Sequence, residues 1–195
     1  RNRPDPHRNY VNRSADVPEP FPYGAFDNWN RNKLGLTLNA RHPEGLKLIK
    51  DLIAVSDVVA ENFRGGVLDS WGLNYEEMRK ARPDIVYMSL SGYGQTGPYK
   101  DYASHFHIAQ AMSGLTYLSG YENDVPVVTG SWGDTTAGLH MAAAICVALE
   151  HRTRTGQGQC VDGSQLTTLT NIMGSAYLEH LANGTEPRPS GNRLP

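Results

Sequence analysis

Cysteine is scarce in this sequence. Cys146 and Cys160 are the two in 195 residues, with no CxxC pair and no Cys/His spacing of a metal site. Two isolated thiols in a chain of this size are expected to stay reduced, which points to the cytoplasm rather than to a disulfide-held secreted fold. Excess charge is missing too. Eighteen Lys and Arg against twenty Asp and Glu leave a net charge of −2, so a general nucleic-acid binder is not expected. No apolar run is long enough to span a bilayer, and no signal peptide is expected, which removes the membrane as a partner. The chain also lacks GxSxG, a Ser-His-Asp pattern, the Lys-Ser/Thr ending of a P-loop and the spacing of a dinucleotide fingerprint. No resident metal or cofactor is expected.

What is present suits one globular domain. Hydrophobic residues make up 39% and charged residues 19%, with 20 Gly and 12 Pro spread along the chain. Residues 1–29 are polar, rich in Pro, Arg and Asn, and without period. They read as an irregular arm that can pack through Tyr10, Phe21, Tyr23, Phe26 and Trp29. Residues 30–182 carry the order. Leu34 to Leu38 reads as a strand. Pro43 opens a helix whose buried face is Leu46, Ile49, Leu52 and Ile53. Strands are expected at Asp57 to Glu61, Asp84 to Leu90 and Gln159 to Asp162. Helices are expected at Val67 to Trp71, Tyr75 to Ala81, His105 to Leu118, and Ser164 to Leu181. Residues 183–195 read as a linker. The chain begins with Arg and ends on Gly-Asn-Arg-Leu-Pro with no helix stop or tail character, so it reads as a piece of something longer. Strands alternating with helices predict an α/β fold with a mainly parallel sheet, in which ligands sit beyond the carboxyl ends of the strands.

Those ends carry the candidate chemistry. Asn62-Phe63-Arg64 offers an amide, a stacking ring and a guanidinium, a set suited to an adenine nucleotide; equally, Phe63 is core and Arg64 solvated. The loop Ser91-Gly92-Tyr93-Gly94-Gln95-Thr96-Gly97-Pro98 is either a phosphate cradle or a plain strand-to-helix connection. His105 and His107 are two apart, a spacing poor for one helix face and for a shared metal. Cys160 has no activating partner. Asp134 lies in a glycine-bracketed turn before the longest helix pattern, whose buried face is Met141, Ala144, Ile145, Ala148 and Leu149, with Gly156 as the stop. Locally Asp134 is an N-cap of that helix, or a carboxylate held at a helix N-terminus for reaction.

Several blocks in order carry a resemblance. They are Asn30-Arg31-Asn32-Lys33 with LTLNARHPEG, SDVVAENFRGGVLDSWGLNYEEMRKARPDIVYMSLSGYGQTGP, IAQAMSG, TGSWGDTTAG and RTRTGQGQCVDGSQ. Together they resemble the family III CoA-transferases, the formyl-CoA and carnitine CoA-transferase group, whose superfamily includes α-methylacyl-CoA racemase. The resemblance implies an α/β fold with a mainly parallel Rossmann-like sheet and flanking helices, here part of the family's large domain. It places the family's nucleophile at Asp134. It places CoA contacts at Leu38, Asn39, Ala40 and Arg41, at Asn62, Phe63 and Arg64, and at Ala103, Ser104, His105 and Phe106. It implies coenzyme A and acyl-CoA as substrates, a carboxylic acid as acceptor, no permanently bound cofactor, and an interlocked homodimer.

The alternative within the superfamily is an acyl-CoA epimerase using His105 and Asp134 as its proton-transfer groups. A further alternative is a non-catalytic fragment or partner-dependent subunit of the same fold. Phe106 stands where many members are acidic, and Ser70 where many are basic. The family's first strand and its small domain, toward which residues 183–195 would lead, have no counterpart in the sequence.

Overall fold

The computed structural model describes residue 5, residues 24–128 and residues 130–193, with Gly24, Ala25 and Phe106 described by backbone alone. The expected packing roles of Tyr10, Phe21 and Tyr23 lie outside the described residues. The chain divides into two compact units, residues 1–38 and 39–195.

In the first unit, helix α1 (Gly24–Trp29) forms inside the stretch expected to be irregular. The Asn-Arg-Asn-Lys run closes it. Asn30 Nδ2 donates to the Phe26 carbonyl at 2.8 Å and Lys33 Nζ to the Trp29 carbonyl at 2.8 Å, satisfying carbonyls that a helix end leaves open. The strand expected from Leu34 to Leu38 does not form. Leu34 is wholly exposed, and the segment has no ladder partner among the described residues. Extended residues become a strand only by pairing their N–H and C=O groups with a neighbour.

The second unit is built on a three-stranded parallel sheet in the order β1 (Val58–Glu61), β2 (Val86–Ser91), β3 (Cys160–Ser164). Val58 stands opposite Val86, and Ser91 opposite Ser164. Helix α2 (Pro43–Val55) precedes β1. The first crossover holds α3 (Val67–Ser70) and α4 (Tyr75–Ala81). The second holds α5 (Phe106–Met112), α6 (Leu115–Leu118) and α7 (Trp132–Thr155). Helices α8 (Gln165–Ile172) and α9 (Gly174–Asn183) follow β3. The predicted parallel α/β architecture is what the structure shows.

Side chains of β2 point alternately to the two faces of the sheet. Ile85 and Tyr87 enter a core with Ile53 of α2, Leu68 of α3, Leu73 and Met78 of α4. Leu46 and Ile49 pack against that core, but Leu52, expected on the same face, stays 45% exposed. The next residues of β2, Val86 and Leu90, are buried on the other face, where α7 packs. Fully burying a side chain such as Ile85 or Met78 contributes about 1.5–3 kcal/mol.

Three departures from the expected helices go beyond a shift of one or two residues at an end. The helix expected from His105 to Leu118 is broken at Ser113-Gly114, because Gly114 takes a left-handed φ of 81° that any side chain would resist. The final helix breaks at Met173, just before Gly174, a poor helix former. Helix α7 begins at Trp132 rather than after Asp134, so its N-cap is Ser131 and Asp134 lies inside the first turn. Its C-terminal stop is Gly156, as the sequence predicts, with φ 72° and its N–H bonded to the Arg152 carbonyl. The predicted buried face of α7 is also found: Ala148 is buried, and Met141, Ala144, Ile145 and Leu149 are half-buried.

Candidate functional site

The carboxyl ends of the three strands are joined by a continuous set of hydrogen bonds. After β1, Asn62 Nδ2 donates to the Leu90 carbonyl near the end of β2 at 2.7 Å. Glu61 takes two bonds at this corner, from the Tyr87 hydroxyl at 3.1 Å and from the Phe63 N–H at 2.5 Å. Burial, together with the Glu61 carboxylate, pushes the Tyr87 hydroxyl well above its ordinary value, so it serves as a neutral donor. Gln95 ties β2 to the loop after β1: its Nε2 donates to Ser89 Oγ at 2.6 Å, and its Oε1 accepts the Gly66 N–H at 3.3 Å.

The glycine loop after β2 is occupied by the protein itself. Gly94 N–H donates to Ser91 Oγ at 2.9 Å, and Gln95 N–H donates to Asp162 Oδ1 at 2.8 Å. A carboxylate from β3 thus sits where a cradle would hold an anion, and the loop is a structural connection. Gly92 lets Ser104 approach: a Cβ on Gly92 would fall 2.0 Å from Ser104 Cβ. The Gly92 carbonyl accepts the Leu166 N–H at 3.1 Å and the Ser164 hydroxyl at 3.3 Å.

Asp134 completes the set. It is the third residue of α7, where the open N–H groups and the helix dipole favour a negative charge. Its side chain is exposed, while its Oδ1 accepts a 2.5 Å hydrogen bond from Nε2 of Gln165. Gln165 opens α8 and is only 7% exposed. Gly133, before Asp134, is buried, and Ser131 makes no side-chain cap bond. The arrangement is a surface carboxylate with one oxygen held from below, at the end of a parallel sheet where such folds bind ligands.

The other candidates fall as follows. Asn62, Phe63 and Arg64 are exposed at the end of β1, so Phe63 is not core; the residue is 45% exposed and its ring meets Trp71 edge-on at 5.4 Å. Ser104 is half-buried against Gly92, Ala103 is exposed, and His105 is the exposed N-cap residue of α5. The Phe106 side chain lies outside the described set. Leu38 ends the first unit. Asn39, Ala40 and Arg41 open the second, where Asn39 Oδ1 accepts the Arg41 N–H at 3.1 Å and turns the chain into α2.

The rings of His105 and His107 stack at 6.5 Å, and no group of metal-ligating side chains occurs among the described residues. Cys160 keeps an exposed edge, yet enough protein surrounds its sulfur, with Asp162 nearby, to push the thiol above its ordinary value. Such a thiol is a poor nucleophile. No helix among the described residues is long and apolar enough to cross a membrane.

Gln165 and Asp162 were not singled out from the sequence. The rule that ligands gather at strand ends, applied to β3 as well as to β1 and β2, points at Ser164-Gln165.

Comparison with known proteins gives the family and the fold. The model of CoA-transferase family III matches residues 1–195. The beta subunit of succinyl-CoA–L-malate CoA-transferase from Chloroflexus aurantiacus is 44% identical over 137 residues, 69% of this chain and 34% of that protein. Succinyl-CoA:glutarate CoA-transferase from Homo sapiens is 40% identical over 148 residues, 73% of this chain and 34% of that protein. The crystal structure of a CaiB/BaiF family protein from Brucella suis superposes with a TM-score of 0.81 at 36% identity, over 85% of this chain and 44% of that one. The chain therefore spans about a third of the length of these two curated relatives.

Proposed function

The chain belongs to CoA-transferase family III, and from that premise we propose that it moves coenzyme A from an acyl-CoA thioester to a free carboxylic acid, with Asp134 as the nucleophile. The observation that carries this reading is the exposed Asp134 carboxylate in the first turn of α7, set among strand ends and anchored through one oxygen.

The carboxylate attacks the thioester carbonyl, the C–S bond breaks, and a mixed anhydride forms with release of CoA thiolate. The thiolate attacks the aspartyl carbonyl. The anhydride C–O bond breaks, the donor leaves as a carboxylate, and an aspartyl-CoA thioester remains. The acceptor carboxylate then attacks this thioester and the two steps run in reverse. No proton or electron is gained or lost overall, so the chemistry asks for no metal and no redox cofactor. The helix N-terminus behind Asp134 opposes the charge that develops on the attacked oxygen.

Phe63 offers an exposed ring for the adenine and Arg64 an exposed guanidinium for phosphate, with Asn62, Asn39 to Arg41 and Ala103 to His105 as further CoA contacts. The two named relatives act on succinyl-CoA with malate or glutarate, which makes a dicarboxylate the expected acceptor here. The same reading carries a cytoplasmic homodimer as its expected setting.

Intact-mass spectrometry after incubation with succinyl-CoA tests the proposal. A covalent CoA adduct mapping to Asp134 and absent from Asp134→Asn is expected, with turnover of the variant reduced by at least about a thousandfold. An adduct that survives Asp134→Asn overturns it. So does solvent deuterium entering the acyl α-carbon without CoA transfer, which would mark proton-transfer chemistry through His105 and Asp134.

A further inference from the structure

We infer that Gln165 is the positioning residue of this site: it fixes one oxygen of Asp134 and so aims the other at the thioester carbonyl. The inference rests on the reading of Asp134 as nucleophile and adds to it how the carboxylate is held.

Gln165 lies at a firmly tied stretch of backbone at the strand ends. It is the first residue of α8, directly after β3, and its neighbour Ser164 is registered opposite Ser91 of β2. Ser164 caps α8 by accepting the Thr167 N–H at 3.2 Å while donating to the Gly92 carbonyl at 3.3 Å. Leu166 N–H reaches the same carbonyl at 3.1 Å. The residues before and after Gln165 are thus tied to the loop after β2, and its own side chain is 7% exposed. A buried amide in such a place needs a partner, and its Nε2 spends a 2.5 Å hydrogen bond on Asp134 Oδ1. The partner is itself exposed.

An exposed aspartate alone would rotate about its Cα–Cβ and Cβ–Cγ bonds. A reaction of this kind needs its atoms held near the attack geometry. An amide donor on Oδ1 supplies the constraint without neutralising the carboxylate, as a bound Lys or Arg would tend to do. The same N–H lies beside the aspartyl oxygen when Asp134 becomes an anhydride or thioester, where it opposes the negative charge that forms as thiolate attacks.

Three variants of the 195-residue chain test this. Gln165→Met keeps the length and removes the donor. It is expected to lower kcat about tenfold to a hundredfold while KM for acyl-CoA moves less than about twofold. Gln165→Glu sets a second carboxylate within hydrogen-bonding distance of the first. It removes the donor and sets charge against charge, so kcat is expected to fall at least as far as in Gln165→Met. Gln165→His, which keeps an N–H donor, restores part of the lost rate.

A second readout is independent of turnover: the carbon-13 chemical shift of the Asp134 carboxyl at neutral pH, expected to change in Gln165→Met, since the amide donor on Oδ1 has been lost. If the carboxyl shift changes but wild-type protein forms no acyl-CoA adduct, the hydrogen bond stands and the nucleophile reading falls, taking the aiming role with it. If wild type forms the adduct and Gln165→Met keeps wild-type kcat and the wild-type carboxyl shift, the positioning role is overturned while the nucleophile reading survives.

Discussion

At the scale of single residues, Asp134 shows what a local pattern can and cannot decide. Its place before an apolar run reads as a helix cap, yet the helix starts two residues earlier and its N-cap is Ser131. An acidic side chain at the third helical position keeps the favourable dipole without being consumed by a capping bond. The motif around Asp134 was legible in the sequence. Its partner Gln165 was not, because 31 residues and a strand separate the two and only the sheet brings them together. The glycine loop was legible as a loop but not in its purpose, since nothing local says that Asp162, 67 residues from Gln95, accepts its N–H.

Gly92 gives the sharpest structural prediction at this scale. Its missing Cβ is required by Ser104, which would lie 2.0 Å from it. Gly92→Ala is expected to destabilise the fold by about 1–3 kcal/mol and to shift the segment leading into α5. Urea unfolding checks the first part. The double variant Gly92→Ala with Ser104→Gly, which removes the clashing Cβ, is expected to recover most of the loss.

At the scale of elements, the ends of β1, β2 and α7 opposite the site are held by an ion network. Arg82 reaches Asp57 and Asp84 at 3.0 Å each, and Arg152 of α7 reaches Asp57 at 3.0 Å and Asp84 at 3.8 Å. The two arginine side chains are largely covered, at 23% and 17% exposure. Their stems therefore pack as well as carry charge. Arg152→Ala is expected to lower stability by about 1–2 kcal/mol, read as a lower urea midpoint.

The network also sets an acid limit. The Arg82 hydrogen bond holds the Asp84 carboxyl below its ordinary 3.8. A carboxyl depressed in the folded state stabilises fully above its unfolded value and loses that contribution as pH falls through the folded one. Thermal midpoints should therefore drop below about pH 4, and Asp84→Asn should flatten that part of the curve.

Helices and strands with strong local signals matched the sequence closely, α4 to the residue and β1 to within one. One miss has a tertiary cause and two are local to a glycine. Leu34 to Leu38 has strand composition but no ladder partner among the described residues, and the two broken helices turn on Gly114 and on the Met173-Gly174 junction.

At the scale of the whole molecule, α7 has a second apolar face that the periodicity argument did not separate from the first. Met141, Ala144, Ile145, Ala148 and Leu149 turn inward, while Leu139, Ala142, Ala143, Cys146 and Val147 occupy the same i, i+3, i+4, i+7, i+8 spacing and are exposed. Leu139 is 68% exposed and Val147 70%, and on α9 Leu178 and Leu181 are also largely exposed. A helix that is apolar all round is ordinarily covered on all sides. Soluble monomers rarely show contiguous apolar patches beyond a few hundred Å². The outer sides of β1 and β3 add unpaired strand edges among the described residues, a template for further pairing. The 195-residue chain is therefore expected to associate as its concentration rises, seen as a growing sedimentation coefficient in velocity runs. Leu139→Glu combined with Val147→Lys places opposite charges on the exposed face without touching the inward one. That variant should keep the helical circular dichroism and the melting temperature while losing most of the association. A wild-type chain that stays a single monomeric species with a cooperative melt across the same concentrations would show that the outer face of α7 is tolerated by solvent. An unchanged association in the double variant would move the cause to the sheet edges.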